Sequence, residues 1–380
     1  VATGPLSGQA AFAVAINATT GVVTVEQYLS IQHGNASDPD DPATMTANAI
    51  KAVVTVKDGD GDTDASDAVD ISGQITFRDD SPSITVDANV ATITVDETNL
   101  AAGAATIALS TFTQGADADK GIGVTVTTSA PTVMSTVSAS SYGVDGEGVP
   151  NVSYALSLAG GASSAATLLT TTDGVAITLV KVSDTVVVGR VGATNTVAFA
   201  IEVDATSGAV KVEQYLSLFH PNAANPNDPV SLAAGDLSII GTIKDGDGDT
   251  FSDPATIGDR ITFSDDGPSA VTAATLTMNN TAANSGNAYL DGDLDVDNNY
   301  GADGAGAVIF TAATITALQG QNLASSLTSL NYSLSLDGTV ITATRSDNAS
   351  LVFTLSLQPG GSDDKYVLDL NQTLDSTALV

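Results

Sequence analysis

Cysteine is absent from the 380 residues, and so is tryptophan. Without thiols there can be no disulfide, no thiolate metal site and no cysteine nucleophile. Aromatic residues make up only 4%, so a core has to be assembled from Val, Ile, Leu and Ala. Basic residues are scarce: 11 Lys and Arg stand against 44 Asp and Glu, a formal net charge of −33. That balance excludes nucleic-acid binding, which needs a basic stripe, and works against anionic membrane surfaces. Long apolar runs are missing too. The longest, Ala10 to Ile16, is seven residues, against the ~20 that span a bilayer. No basic segment followed by an apolar run marks a signal peptide. The 43% hydrophobic content nevertheless excludes wholesale disorder.

What the chain does have is an internal repeat. VEQYLSIQH from Val25 returns at Val212 as VEQYLSLFH, 187 residues on. AFAVAINATTG from Ala11 returns from Ala198 as AFAIEVDATSG, and KDGDGDT from Lys57 returns from Lys244, both at that offset. ITFRDDSPS from Ile75 returns from Ile261 as ITFSDDGPS, one residue short of it. A weaker echo links YGVDGEG at Tyr142 to YGADGAG at Tyr300, 158 residues on. The segments are therefore the C-terminal part of a repeat (1–82), one complete repeat (83–268) and the N-terminal part of a diverged one (269–380). A unit this long is a domain or a pair of domains, not a solenoid turn.

The fold class expected is all-β. Ile84-Thr-Val-Asp, Ile93-Thr-Val-Asp and Leu276-Thr-Met-Asn alternate apolar and polar residues with period two, and Gly, Asn and Asp clusters punctuate the runs. Only Ala313 to Leu327 reads as a helix. The expectation is a row of Ig-like β-sandwiches in an elongated array. In it, 1–82 and 269–380 form one sandwich each, 83–268 forms two, and the junctions lie near Pro82 and Pro268. For 1–82 the expected small core is Val53, Val54, Val56, Ile75 and Phe77.

Three acidic constellations could carry chemistry. Asp58, Asp60 and Asp62 alternate with glycine, and the same loop recurs as Asp245, Asp247 and Asp249. Such a loop can wrap a hard cation, and Ca2+ takes six to eight oxygens. It is not an EF-hand, because the sixth position is Thr63 or Thr250 and the twelfth is Val69 or Thr256. The alternative is an acidic turn without an ion. Asp79-Asp80-Ser-Pro82 and Asp265-Asp266-Gly-Pro268 each follow a strand and end on a residue that stops a sheet ladder. They read either as a cation-locked junction or as a solvated turn. Asp291, Asp293, Asp295 and Asp297 form the third set, with sparser counterparts in Asp117, Asp119, Asp145 and Glu147. The two histidines, His33 and His220, are repeat-equivalent, as loop residues would be. With no Gly-x-Ser-x-Gly elbow, no Walker sequence and no distinctive carboxylate pair, enzymatic activity is not expected.

Taken together, Val188-Gly-Arg, the Phe199 strand, Val212-Glu-Gln-Tyr-Leu, His220, Asp245-Gly-Asp-Gly-Asp-Thr and Phe263-Ser-Asp-Asp-Gly-Pro are specific. They resemble the tandem-repeat region of giant RTX adhesins of Gram-negative bacteria. The resemblance implies a long, type I-secreted, Ca2+-dependent protein of the cell surface that acts in attachment and biofilm formation. Neighbouring repeats of the same chain, or other copies head-to-tail, would be its partners. This segment would then be an extender. A Ca2+-dependent sugar- or protein-binding module and the unit of an extracellular filament stand as alternatives.

Overall fold

The structure, a computed structural model, describes residues 7–36, 38, 40–117, 123–291, 300–304, 306–358 and 364–375. Asp119, Asp293, Asp295 and Asp297 lie outside them. The protein is all-β; among the described residues there is one short α-helix, Ala312–Gly320, which overlaps the N-terminal part of the span expected to be helical. No helix among the described residues is long and apolar enough to cross a membrane.

The repeat seen in the sequence is a repeat in space. Strands Phe12–Ile16 and Val23–Gln27 form an antiparallel hairpin that pairs Phe12 with Gln27 and Ile16 with Val23. Thr196–Val203 and Ala209–Gln214 pair in the same register, Phe199 with Gln214 and Val203 with Val210. Both copies set a phenylalanine of this hairpin against one from the strand before the Asp-Asp pair. Phe12–Phe77 and Phe199–Phe263 each have ring centroids 4.8 Å apart.

Within residues 83–268 the first half of the repeat is interleaved with the second rather than parted from it at one point of the chain. Strand Ile93–Asp96 runs parallel to Ile261–Ser264, and Glu147–Leu158 pairs with Leu237–Asp245. Gly123–Thr128 pairs with Ala209–Gln214 within a ten-stranded sheet. Each of these ladders joins the first half of the repeat to the second. One hydrophobic cluster also draws on both halves, with Ile93, Val95, Met134 and Leu156 packed among Ile201, Val212, Ile239 and Phe263. Leu237–Asp245 alternates buried and half-buried residues, as a strand with one face on a core should. Thr196–Val203, central in the ten-stranded sheet, is buried on both faces apart from two half-buried positions.

The small core expected in 1–82 is not formed as expected. Ile75 and Phe77 are buried, but Val53, Val54 and Val56 are 53%, 62% and 65% exposed. Val53 and Val54 lie between two strands that pair only as short ribbons, Lys51–Ala52 with Val69–Asp70 and Thr55–Lys57, which holds Val56, with Thr63–Ala65. The counterpart of Val56 in the complete repeat, Ile243, is fully buried against Ile84, Val86 and Val152 from that repeat's first half. After Pro268 the chain forms a separate six-stranded sheet with its own cluster around Ala343, Val352 and Phe353.

Candidate metal centres at the junctions

Each Asp-Asp-x-Pro stretch leaves a strand and immediately meets a loop of the next segment. Asp79 and Asp80 follow Thr76–Arg78, and both carboxylate oxygens of Asp80 accept the Val144 N–H, at 3.2 and 3.0 Å. Asp266, its counterpart after Ile261–Ser264, accepts the Ala302 N–H at 2.9 Å on each oxygen. The two donor loops are the Tyr-Gly-x-Asp-Gly echoes. Their first glycines, Gly143 and Gly301, have φ of +68° and +80°, and a Cβ on either would stand 2.6 Å from the facing carboxylate. Both the left-handed backbone and the missing side chain are therefore needed there. The same loops bring in one more acid each, so that Asp79, Asp80 and Asp145 come together at one junction and Asp265, Asp266 and Asp303 at the other.

Each junction also has a histidine side. His33 Nδ1 lies 3.3 Å from Asp79 Oδ1, both side chains nearly without exposure. The His33 N–H donates to Asp247 Oδ2 at 3.1 Å, which draws the second Asp-Gly-Asp-Gly-Asp loop into the first junction. In that loop Asp245 Oδ1 accepts the Gly248 and Asp249 N–H groups at 3.0 and 2.8 Å, and Asp245 and Asp249 are buried. At the second junction His220 Nε2 lies 3.3 Å from Glu97 Oε1, and Glu97, His220 and Asp265 converge. Glu97 Oε1 also accepts from Gln214 Nε2 at 2.6 Å and from the Leu218 N–H at 2.8 Å.

Burial dominates the electrostatics. It lifts Asp79 above the usual carboxylate range, with the charge of Asp247 adding and that of His33 opposing. Asp245, Asp249 and Asp145 are raised first of all by the same desolvation. Asp265 is pushed up to about 6 and Glu97 to about 7, again chiefly by burial. For His220 burial opposes the cation, but the hydrogen bond and charge of Glu97 outweigh it and its pKa is raised.

The donor set fits a cation. Asp79 Oδ2, Asp245 Oδ2, Asp247 Oδ1, Asp249 Oδ2, Asp265 Oδ1 and Glu97 Oε2 are buried oxygens with no hydrogen-bond partner. A buried carboxylate oxygen without a partner is costly, and a hard divalent ion is the partner that several such oxygens share.

Of the acids expected from sequence, the structure gathers Asp79, Asp80, Asp247, Asp265 and Asp266 into these clusters, with Asp245 and Asp249 buried in the adjoining loop. Asp58, Asp60 and Asp62 come together only with one another and are exposed. Asp58 Oδ1 still accepts the Gly61 and Asp62 N–H groups at 3.1 and 2.8 Å, so the loop folds alike in both copies. Asp291 joins no such cluster among the described residues. Glu97 escaped the sequence reading, because it is a single acid just after an ordinary alternating strand, Ile93–Asp96. Asp303 escaped it too, although it holds the place in the Tyr-Gly-x-Asp-Gly echo that Asp145 holds in the other copy, a signal that could have found it.

Residues 1–72 and 92–258 match the family described as Domain of unknown function (DUF5801). The chain belongs to this family. No curated protein and no solved structure matches it. The two DUF5801 stretches end at equivalent repeat positions, Ser72 and Gly258. His33, Glu97, Asp145, Asp247 and Asp249 lie within them, whereas both Asp-Asp pairs lie just beyond.

Proposed function

We propose that this DUF5801 chain is an extender-type structural segment of a secreted bacterial surface adhesin, with junctions set by Ca2+. One observation carries the reading. The same acidic assembly, an Asp-Asp pair closing on a Tyr-Gly-x-Asp-Gly loop beside a buried histidine, occurs at both places where one repeat segment passes to the next. A binding site for a unique ligand has no reason to be duplicated at successive junctions, but a joint does. The charge supports it as well: a chain at −33 repels itself at close quarters, and cations at the joints relieve that repulsion where carboxylates are most crowded. At the first junction Asp79, Asp80, Asp145 and Asp247 would hold the ion, and at the second Glu97, Asp265, Asp266 and Asp303. Oxygen ligands of this number and charge suit Ca2+. The resemblance to RTX adhesins supplies the cell-surface setting and the role in attachment and biofilm formation.

Sedimentation of the chain with calcium and with chelator is the test. Calcium is expected to raise the melting temperature and to lower the conformational freedom of the chain. Asp80→Asn combined with Asp266→Asn should abolish most of both responses. Identical sedimentation and melting with and without chelator would refute the proposal.

A further inference from the structure

The acids at each junction fall into two triads, and the triads differ in kind. At the second junction Asp265, Asp266 and Asp303 offer oxygen only, while Glu97, His220 and Asp265 offer two carboxylates and an imidazole. In each triad the ligand atoms lie within 4.8 Å of one another. The first junction shows the same division, with Asp79, Asp80 and Asp145 on one side and His33, Asp79 and Asp247 on the other. Each time, the first aspartate of the Asp-Asp pair belongs to both triads.

The histidine triad of the second junction lies wholly within residues 83–268 and is deeply placed. Glu97 is fully buried, and His220 and Asp265 are each 8% exposed. Glu97 Oε1 accepts from Gln214 Nε2 and from the Leu218 N–H, and it faces His220 Nε2. Gln214 is itself fully buried. These contacts orient the carboxylate and occupy one of its oxygens. Glu97 Oε2 and Asp265 Oδ1 remain buried with no hydrogen-bond partner. Protonation of His220 does not cure this, because one imidazolium then stands against two carboxylates and its contact is with Glu97 Oε1. A cation supplies both the missing charge and a partner for the two oxygens. Ca2+ suits this side poorly, since it takes six to eight oxygens. Two carboxylates with an imidazole are instead a donor set for late first-row divalent ions such as Zn2+.

We propose that Glu97, His220 and Asp265 bind a divalent transition-metal ion of the zinc class, which makes the joint a two-ion centre with Asp265 shared between this ion and calcium. His33, Asp79 and Asp247 form the corresponding place at the first junction. In calcium alone Glu97 and Asp247 serve the calcium. When an ion that accepts nitrogen is present, they ligate it instead. Gln214 and the Leu218 N–H are the outer partners that hold Glu97 in position. Only the shared role of Asp265 rests on the function proposed above; the histidine place can be filled with or without calcium.

Zn2+ titrated calorimetrically into the full, tag-free chain, in calcium-free buffer and again in calcium, tests this. One zinc ion per histidine is expected in both. His220→Asn should weaken binding at the second junction at least about tenfold, since loss of even an outer partner costs about 10–100-fold. Glu97→Gln keeps an oxygen for Gln214 and Leu218 and should weaken zinc in the same way; it serves should His220→Asn fail to fold, and melting in metal-free buffer checks both variants. X-ray absorption at the zinc edge should show imidazole nitrogen among the oxygen neighbours. Zinc binding indifferent to both variants, an all-oxygen zinc environment, or zinc and calcium displacing each other one for one would overturn the proposal. Zinc binding with these dependencies but no response to calcium would refute the calcium joint and leave this site standing. A calcium response without zinc binding would refute this site alone.

Discussion

Replacing Glu97 by Gln separates two things its carboxylate does. The side chain is fully buried, and burial moves its pKa from 4.5 to about 7. Keeping it ionised in the cation-free protein above that pH therefore costs about 3 kcal/mol, at 1.36 kcal/mol per pH unit. Gln keeps the shape and the oxygen that accepts from Gln214 and Leu218, and it removes the charge. The shift to about 7 is already net of the attraction to His220, so the expected gain in chelator at about pH 8 is roughly 1–3 kcal/mol. For a domain of this size that is about 3–10 °C in melting temperature. In calcium the sign reverses, because an anionic ligand has been lost from the second junction. The pH dependence follows the same logic. A carboxyl whose folded pKa lies above its unfolded value binds more protons folded than unfolded across that interval. The cation-free wild type should therefore gain stability as pH falls from about 7 toward 4.5. His220, also raised, adds stability that is present below its unfolded pKa and lost as pH rises through the folded one. Glu97→Gln should flatten the carboxyl part of this slope. Scanning calorimetry of both proteins, in chelator and in calcium across this range, reads all of these. Equal destabilisation by Glu97→Gln in chelator and in calcium would refute the reasoning.

Asp247→Asn with Asp249→Asn should remove most of the calcium stabilisation of the first junction, about 2.7 kcal/mol at a hundredfold excess over Kd; titration calorimetry should show one site fewer. Gly143→Ala and Gly301→Ala each force a Cβ against a carboxylate at positive φ, a strain of about 1–3 kcal/mol. Both should speed limited proteolysis around residues 80–83 and 266–269, respectively, and unchanged cleavage would count against the closed junction. Attachment by a protein carrying this segment should survive His33→Asn together with His220→Asn, since both rings are buried in joints. A hydrolytic activity lost in that double variant with folding preserved would contradict the structural role.

The all-β class and the repeat were legible because their signals are local or literal: period-two alternation, and closely matching strings at a spacing of 186–187 residues that reappear as the same hairpin register. The pairing of Ile93–Asp96 with Ile261–Ser264 left no such trace. Nothing within either strand announces a partner so distant along the chain, and two consecutive sandwiches was the simpler reading. The expectation for Val53, Val54 and Val56 failed for the same reason: alternation marks a face to be covered, not what covers it. At the junctions the Asp-Asp-x-Pro stretches were conspicuous by composition and by their place after a strand. That Asp247 would reach His33 was not, because it depends on how two successive units meet.

Only Ser81 and Pro82 separate Asp80 from strand Ser83–Ala88. Two residues, fully extended, reach about 7 Å, so the first joint has almost no slack. A load applied along the chain passes through covalent backbone whether or not the carboxylates hold an ion. What the contact between Asp80 and the Val144 loop governs is swing. Release it together with the bond from the His33 N–H to Asp247, and the contour length of the joint hardly changes, while the angle between successive units is left to a tether of two residues, one of them proline. A series of such joints would respond to calcium by changing its persistence length: in chelator the chain would coil without growing or shrinking along its own path.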